Sequence, residues 1–138
     1  MALIVDTGPL YAALDKDEPD HTACRTLLDS FSEPLVVPSP VLVEVEYLIR
    51  TRLHTAIGLA LLDDLLAGAF LVEDLTQADY RRVRQIYADY SDADVGLVDA
   101  CVLAVAERLN EPKVATLDHR NFHTLRPRHV DSLILLPE

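Results

Sequence analysis

Short, unbroken runs of branched apolar residues recur along the chain: Leu3-Ile4-Val5, Leu35-Val36-Val37, Phe70-Leu71-Val72, Val114-Ala115-Thr116-Leu117 and Leu133-Ile134-Leu135-Leu136. Runs this short, with no polar alternation, suit strands buried on both faces, as in a parallel sheet. The stretches between them carry helical spacing. Pro9 opens a short helix over 9–14. Asp20 can cap the next, where Cys24, Leu27, Leu28 and Phe31 fall at i, i+3, i+4 and i+7. Helical spacing resumes over 41–52, and Thr55 can cap a leucine-rich segment that stops at Gly68. Thr76 caps 78–90, where Tyr80, Val83, Tyr87 and Tyr90 share a face. The segment 97–109 is apolar nearly all round. Strands alternating with helices define an α/β fold, here a three-layer α/β/α arrangement around a mainly parallel sheet of four to five short strands. At 138 residues, with no repeat, linker or low-complexity tract, a single domain over 1–138 is expected.

Charge narrows the function classes. Twelve basic against twenty-three acidic residues give a net charge of −11. A surface that negative repels phosphates and disfavours indiscriminate binding to nucleic acid. Ten of the twelve basic residues are arginines, the type that grips phosphate or carboxylate bidentately, so their positions matter more than their total. Cys24 and Cys101 lie in apolar helical patterns without metal-ligand spacing, which points to free buried thiols. The chain opens directly on a strand, without a charged-then-apolar leader. No apolar run approaches the roughly 18 residues that span a membrane, so no membrane contact and a cytoplasmic location are expected.

Several carboxylates stand where solvation does not explain them. Asp6 ends the first apolar strand, and in open α/β sheets ligands bind at the carboxyl ends of strands. The plainer role for Asp6 is to cap the segment that follows. Asp118 repeats the pattern after 114–117, at what should be the same sheet edge; its plainer role is a turn or N-cap. Asp99 lies in Leu97-Val98-Asp99-Ala100-Cys101-Val102-Leu103-Ala104-Val105-Ala106, a pattern that buries nearly every face. An ionised carboxylate there costs several kcal/mol unless it is paired or bound to a cation. Its alternative is a buried ion pair with Arg81, Arg82 or Arg84. Glu44 and Glu46, two residues and about 200° apart on one helix, point to nearly opposite sides. Spacing puts Glu44 with Val41 and Leu48 on the core side and Glu46 beside Tyr47 and Arg50, so Glu44 is preferred. Asp92 and Asp94 precede the Asp99 helix, where an N-cap is the default role; Asp92 is a further candidate for the site.

Asp6, Glu44, Asp99 and Asp118 thus come from four separate elements. Like charges gathered at low dielectric repel, and a cation makes the cluster tolerable. An oxygen-only donor set, without a histidine pair at zinc spacing, suits Mg²⁺ or Mn²⁺. Such an ion serves phosphate chemistry by activating a water and steadying the charge of an in-line displacement. Thr7 and Thr116, next to the strand-end acids, can hydrogen-bond the ligand shell.

Four motifs in order, Asp6-Thr7-Gly8-Pro9-Leu10, Pro38-Ser39-Pro40-Val41-Leu42-Val43-Glu44-Val45, Gly96-Leu97-Val98-Asp99-Ala100 and Ala115-Thr116-Leu117-Asp118, resemble the PIN domain, and more narrowly the VapC-type toxins of bacterial toxin–antitoxin pairs. The likeness runs over essentially the whole chain. It implies a metal-dependent endoribonuclease that cuts structured RNA, typically transfer or ribosomal RNA, and so inhibits translation. By position it makes Asp6, Glu44, Asp99 and Asp118 the catalytic, Mg²⁺-holding acids. Asp92 falls where related toxins often carry another acid, and Asp94 stands where many have proline. The resemblance also implies a homodimer and a cognate VapB-type antitoxin that blocks the site. On that reading the basic stretch after Asp118, with His119, Arg120, His123, Arg126, Arg128 and His129, places phosphate-binding groups beside the acids. Arg120, His123, Arg126 and Arg128 are the expected RNA contacts; the alternative is a solvated basic loop. The surplus of apolar residues over 41–66 suggests dimerisation or antitoxin docking. A haloacid-dehalogenase-type hydrolase needs an aspartate at the position of Gly8. A receiver domain needs adjacent acids after the first strand and an aspartate after the third, where Val72-Glu73-Asp74 is a poor substitute. The alternative with the most in its favour is a non-catalytic PIN module that binds RNA or protein, and a complete set of acids speaks against it.

Overall fold

The first strand becomes the middle of the sheet. In the computed structural model, which describes residues 1–138, β1 (Leu3–Val5) pairs in parallel with β2 (Leu35–Pro38) on one side and β4 (Lys113–Ala115) on the other. Ile4 faces Val36 and Val114 across the two ladders. β3 (Leu71–Glu73) extends the β2 edge and β5 (Ile134–Leu136) the β4 edge. All five strands are parallel, in the order β3-β2-β1-β4-β5, with helices on both faces. Central position explains composition: Leu3, Ile4 and Val5 are at most 1% exposed, which only an unbroken apolar run satisfies.

Seven helices cross between the strands: α1 (Thr7–Ala12), α2 (His21–Ser30), α3 (Ser39–Arg52), α4 (Thr55–Leu66), α5 (Gln77–Asp89), α6 (Leu97–Arg108) and α7 (His119–Thr124). The core is built on α6, whose residues from Ala100 to Ala106 are all buried, with Val41, Val45 and Ile49 of α3 and Val83 and Ile86 of α5. Both cysteines are buried free thiols. Thr76 caps α5 in a full capping box with Asp79. Asp79 also binds Arg108 at 2.8 Å, and Arg82 binds Glu107 at 2.7 Å, so two ion pairs tie α5 to α6. Gly68 ends the α4 turn at φ +82°, a left-handed conformation that glycine adopts without penalty.

Several sequence expectations shift. The residue at the start of α4 is His54, with Thr55 already inside the helix. The face of α5 that reaches the core carries Val83 and Ile86; Tyr80 and Tyr87, assigned there by spacing, are about half exposed. Helical drift explains the swap: Ile86 lies three residues from Val83 and wins the buried position over the larger Tyr87. The basic stretch after Asp118, to which the sequence assigned no element, begins as a short helix, α7, anchored by buried Phe122 and Leu125.

Candidate active site

The strand order reverses at β1: the chain moves outward through β2 and β3, then crosses back to β4 on the other side. In parallel sheets the loops leaving the two strands at such a reversal part in opposite directions and open a crevice above the strand ends. Asp6 leaves β1, and Asp118 follows β4 by three residues. The two acids thus flank that crevice because of where their strands lie.

Asp6 occupies the N-cap position of α1 but makes no capping hydrogen bond. It is 6% exposed, and its Oδ2 instead accepts from the Thr116 hydroxyl at 2.9 Å. The same Oγ1 accepts from the Asp118 amide at 3.0 Å, so Thr116 links the exits of β1 and β4. The β1 exit is also held close: a Cβ on Gly8 would lie 3.2 Å from the Leu117 side chain. Burial pushes the Asp6 carboxyl up to about 6; the Thr7 amide and Thr116 hydroxyl partly offset this, and the charges of Asp99 and Glu44 add to it. The Thr7 hydroxyl beside it is buried with no hydrogen-bond partner.

Asp99 enters from the first turn of α6, where its Oδ2 accepts from the Gly96 amide at 3.2 Å. It is half-buried and forms no ion pair with Arg81, Arg82 or Arg84; Arg82 is engaged by Glu107. Its carboxyl is raised, first by burial and then by Asp118, Glu44 and Asp94, with the Gly96 amide opposing. Asp118 does cap α7, accepting from the Asn121 amide, and the Asn121 side chain donates to its Oδ2 at 2.7 Å. Capping and site membership are compatible, since one carboxylate has lone pairs for both.

Glu44 departs from its expected place. Val41, Val45 and Ile49 take the core side of α3, and Glu44 is exposed at the rim, although its charge reaches both Asp6 and Asp99. Glu46 is solvated and pairs with Arg50 at 3.1 Å, as its spacing suggested. Gly96, not Asp92 or Asp94, is the N-cap of α6. Asp92 lies exposed in the turn after α5, and Asp94 is the neighbour whose charge acts on Asp99.

The basic stretch divides. Arg120 and His123 lie exposed on α7, directly after Asp118, and Arg126 follows. Arg128 turns away to Gln85, its amide on Glu107, and His129 Nε2 binds the Glu111 carbonyl at 2.8 Å. Arg128 thus braces α5 against α6, and His129 the connection from α6 to β4; neither pairs with the acids. Asn121 was missed on the sequence. Besides Asp118, its Nδ2 donates to the Asp94 carbonyl at 2.6 Å, which fixes α7 to the turn before α6. Its spacing of three after a capping aspartate was the available signal.

The structure therefore brings together Asp6, Asp99 and Asp118, with Glu44 at the rim and Thr7 and Thr116 behind. As the side chains stand, no three acidic, histidine or cysteine groups close on a point as a ligand shell does. The donor chemistry nonetheless fits a hard divalent cation: oxygen only, no basic partner on any of the three inner acids, and a carboxyl and hydroxyl buried together at Asp6 and Thr7.

A family profile for the PIN domain matches residues 3–126. The chain belongs to the PIN-domain family. Within that family it is 36% identical over 125 residues to ribonuclease VapC26 of Mycobacterium tuberculosis, covering 91% of this chain and 93% of the relative, which places it in the VapC group. The fold matches the crystal structure of VapC20 of M. tuberculosis, a sarcin–ricin loop cleaving toxin, with a TM-score of 0.75 at 19% identity over 81% of this chain and 86% of that one. It also matches VapBC2 of Rickettsia felis, solved on a DNA fragment of its promoter, with a TM-score of 0.72 at 16% identity over 99% and 100% of the two chains.

Proposed function

We propose that this chain, acting as one PIN domain over 1–138, is the toxin of a VapBC-type pair: a Mg²⁺- or Mn²⁺-dependent endoribonuclease that cuts structured transfer or ribosomal RNA and thereby inhibits translation. The observation that carries the reading is the set of unpaired acids at the strand reversal, with Asp6 buried and its carboxyl raised to about 6. A group that holds protons this well in a nest of like charges favours positive charge in general.

Asp6, Asp99 and Asp118 would hold the ion, with Glu44 closing from the rim and Asp92 nearby in sequence. When bound, the ion supplies an activated water and charge stabilisation for an in-line displacement at phosphorus. The protein's own part is positional. Thr116 orients the Asp6 carboxylate, Asn121 that of Asp118, and the Gly96 amide that of Asp99. Arg120, His123 and Arg126 hold phosphates on the α7 side, and the sheet below excludes water from Asp6.

A cognate VapB-type antitoxin and a homodimer belong to the same proposal. The outer face of α3 and α4 exposes Val43, Tyr47, Leu59, Leu62 and Leu66, a patch that a monomer in water does not favour. Leu42, Val43, Glu46, Gly58, Leu61 and Leu62 line a groove between the two helices, suited to an amphipathic helix. No helix is long and apolar enough to cross a membrane.

The test is cleavage of purified transfer and ribosomal RNA fragments by wild type and Asp99→Asn, with Mg²⁺ or Mn²⁺ and with excess EDTA. Expected is cutting only by wild type and only with the cation, while Asp99→Asn keeps a native circular dichroism spectrum. Equal cutting in EDTA overturns the metal mechanism. Binding without cutting under every condition favours the non-catalytic module.

A further inference from the structure

Of the ten arginines, Arg25, Arg50, Arg52, Arg82 and Arg108 each pair with an acid. Arg128 is held by Gln85. Arg81, Arg84, Arg120 and Arg126 have no acidic partner. That is unexpected in a chain of net charge −11, where acids outnumber bases nearly two to one. Arg120 and Arg126 flank the acid site on the α7 side. Arg81 and Arg84 stand on α5, which the phosphate-binding role proposed above leaves unused.

The same part of α5 exposes two aromatic rings. Tyr80, Arg84 and Tyr87 fall at i, i+4 and i+7, one stripe along the helix. Tyr80 is 51% and Tyr87 55% exposed, and Leu97, itself 55% exposed, joins them in a shallow apolar depression with Arg84 on its wall. Leu97 is the first residue of α6, within one turn of Asp99. The depression therefore lies at the N-terminal end of the helix that carries Asp99, whose carboxylate accepts from the amide of Gly96, the residue before Leu97. Two hydrogen bonds make that rim one surface: Asn121 Nδ2 to the Asp94 carbonyl, and the Arg126 amide to the Tyr90 hydroxyl at 2.8 Å.

Flat aromatic faces beside unpaired guanidinium groups suit one ligand chemistry well, an unstacked base with its phosphate. A protein helix seated there would meet the uncompensated charge of Arg84, and the depression is open and short for one. We infer that the Tyr80–Arg84–Tyr87 stripe of α5, with Leu97, is a base-stacking subsite that holds an unpaired nucleotide of the RNA next to the cleaved bond and so helps select which loop is cut. The inference rests on the ribonuclease reading above and adds a second set of contacts, on bases, to the phosphate contacts of α7.

The test uses a fluorescently labelled RNA hairpin whose loop the wild type cuts. Binding is measured in the Asp99→Asn background, and cleavage in the otherwise wild-type protein. Tyr87→Ala is expected to weaken binding about tenfold, Arg84→Ala similarly, and Tyr87→Phe little. A hairpin made abasic at the unpaired loop positions should bind less tightly to the parent and no less tightly again to Tyr87→Ala. Cut positions should spread in Tyr87→Ala, with KM affected more than kcat. Wild-type binding and cut sites in Tyr87→Ala and Arg84→Ala overturn the subsite and leave the ribonuclease reading standing. A wild type that neither binds nor cuts any RNA overturns both. If Tyr87→Ala changes the oligomeric state in light scattering and weakens intact and abasic hairpins alike, a second copy covers this face and the subsite is wrong.

Discussion

At the scale of single residues, the site is a place where stability has been given up. A buried carboxylate whose proton affinity is raised from 3.8 to about 6 binds its proton more tightly in the fold than in the unfolded chain. Its contribution is therefore most favourable below the unfolded value and is lost as pH rises through about 6, costing roughly 2–3 kcal/mol above that. Without divalent ions, Asp6→Asn should melt higher than wild type at pH 7.5, and the gap should close toward pH 4. A gap independent of pH would show that Asp6 is not desolvated. Asn121 acts by orientation, holding the Asp118 carboxylate and the turn at Asp94 in place. Asn121→Ala, assayed for cleavage and thermal stability, should lose about tenfold or more in activity with little change in melting. Full activity would show that Asp118 needs no orienting partner. Asp6, Asp99 and Asp118 were legible in the sequence because each sits against apolar residues that do not tolerate a charge. Asn121 was not, because an amide on a polar helix carries no such contradiction. Glu44 was legible only by its neighbours: an exposed glutamate is ordinary, and its side of α3 was misjudged because Val45 and Ile49, not Glu44 and Leu48, continue the buried stripe from Val41.

Among the elements, α5 and α6 depend on paired charges as well as on Val83 and Ile86. Arg82 and Glu107 are largely buried, 14% and 9% exposed at their side chains. Removing one partner leaves the other uncompensated, and Glu107 also accepts from the Arg128 amide. Glu107→Ala should destabilise by about 3 kcal/mol in urea unfolding; a loss below about 1 kcal/mol would show that water already solvates the pair. The α3–α4 pair behaves differently. Leu62→Glu with Leu66→Glu alters exposed positions, so stability should move by no more than about 0.5 kcal/mol. RNA cleavage should persist while a co-expressed antitoxin no longer co-purifies. Retained antitoxin would place the docking surface elsewhere. Periodicity found every strand and nearly every helix, since three-residue apolar runs between amphipathic segments have few other uses. It failed at α7, whose six residues are too few to show a period, and at the tyrosines of α5, where size and drift decide which residue reaches the core.

For the molecule as a whole, the strand order β3-β2-β1-β4-β5 turns scattered sequence positions into a site. Asp6 and Asp118 are over a hundred residues apart, and parallel pairing of β1 with β4 makes them neighbours. That pairing was not readable from composition or periodicity; it follows from the topology, and only the alternation of elements hinted at it. Net charge belongs at this scale too. On the proposed ribonuclease reading, the acids spread over the surface would keep indiscriminate RNA away, and the unpaired arginines on α5 and α7 would admit it at the site. The central claim is that the acids act together as one cation site. Its most direct measurement is equilibrium Mn²⁺ binding by calorimetry to wild type and to Asp6→Asn, Glu44→Gln, Asp99→Asn and Asp118→Asn, each checked for a native circular dichroism spectrum. Expected is saturable binding by wild type, weakened about tenfold or more in the three aspartate variants and less at the rim position Glu44. A wild type that binds no Mn²⁺, or folded aspartate variants that bind it as well as wild type, would contradict the claim.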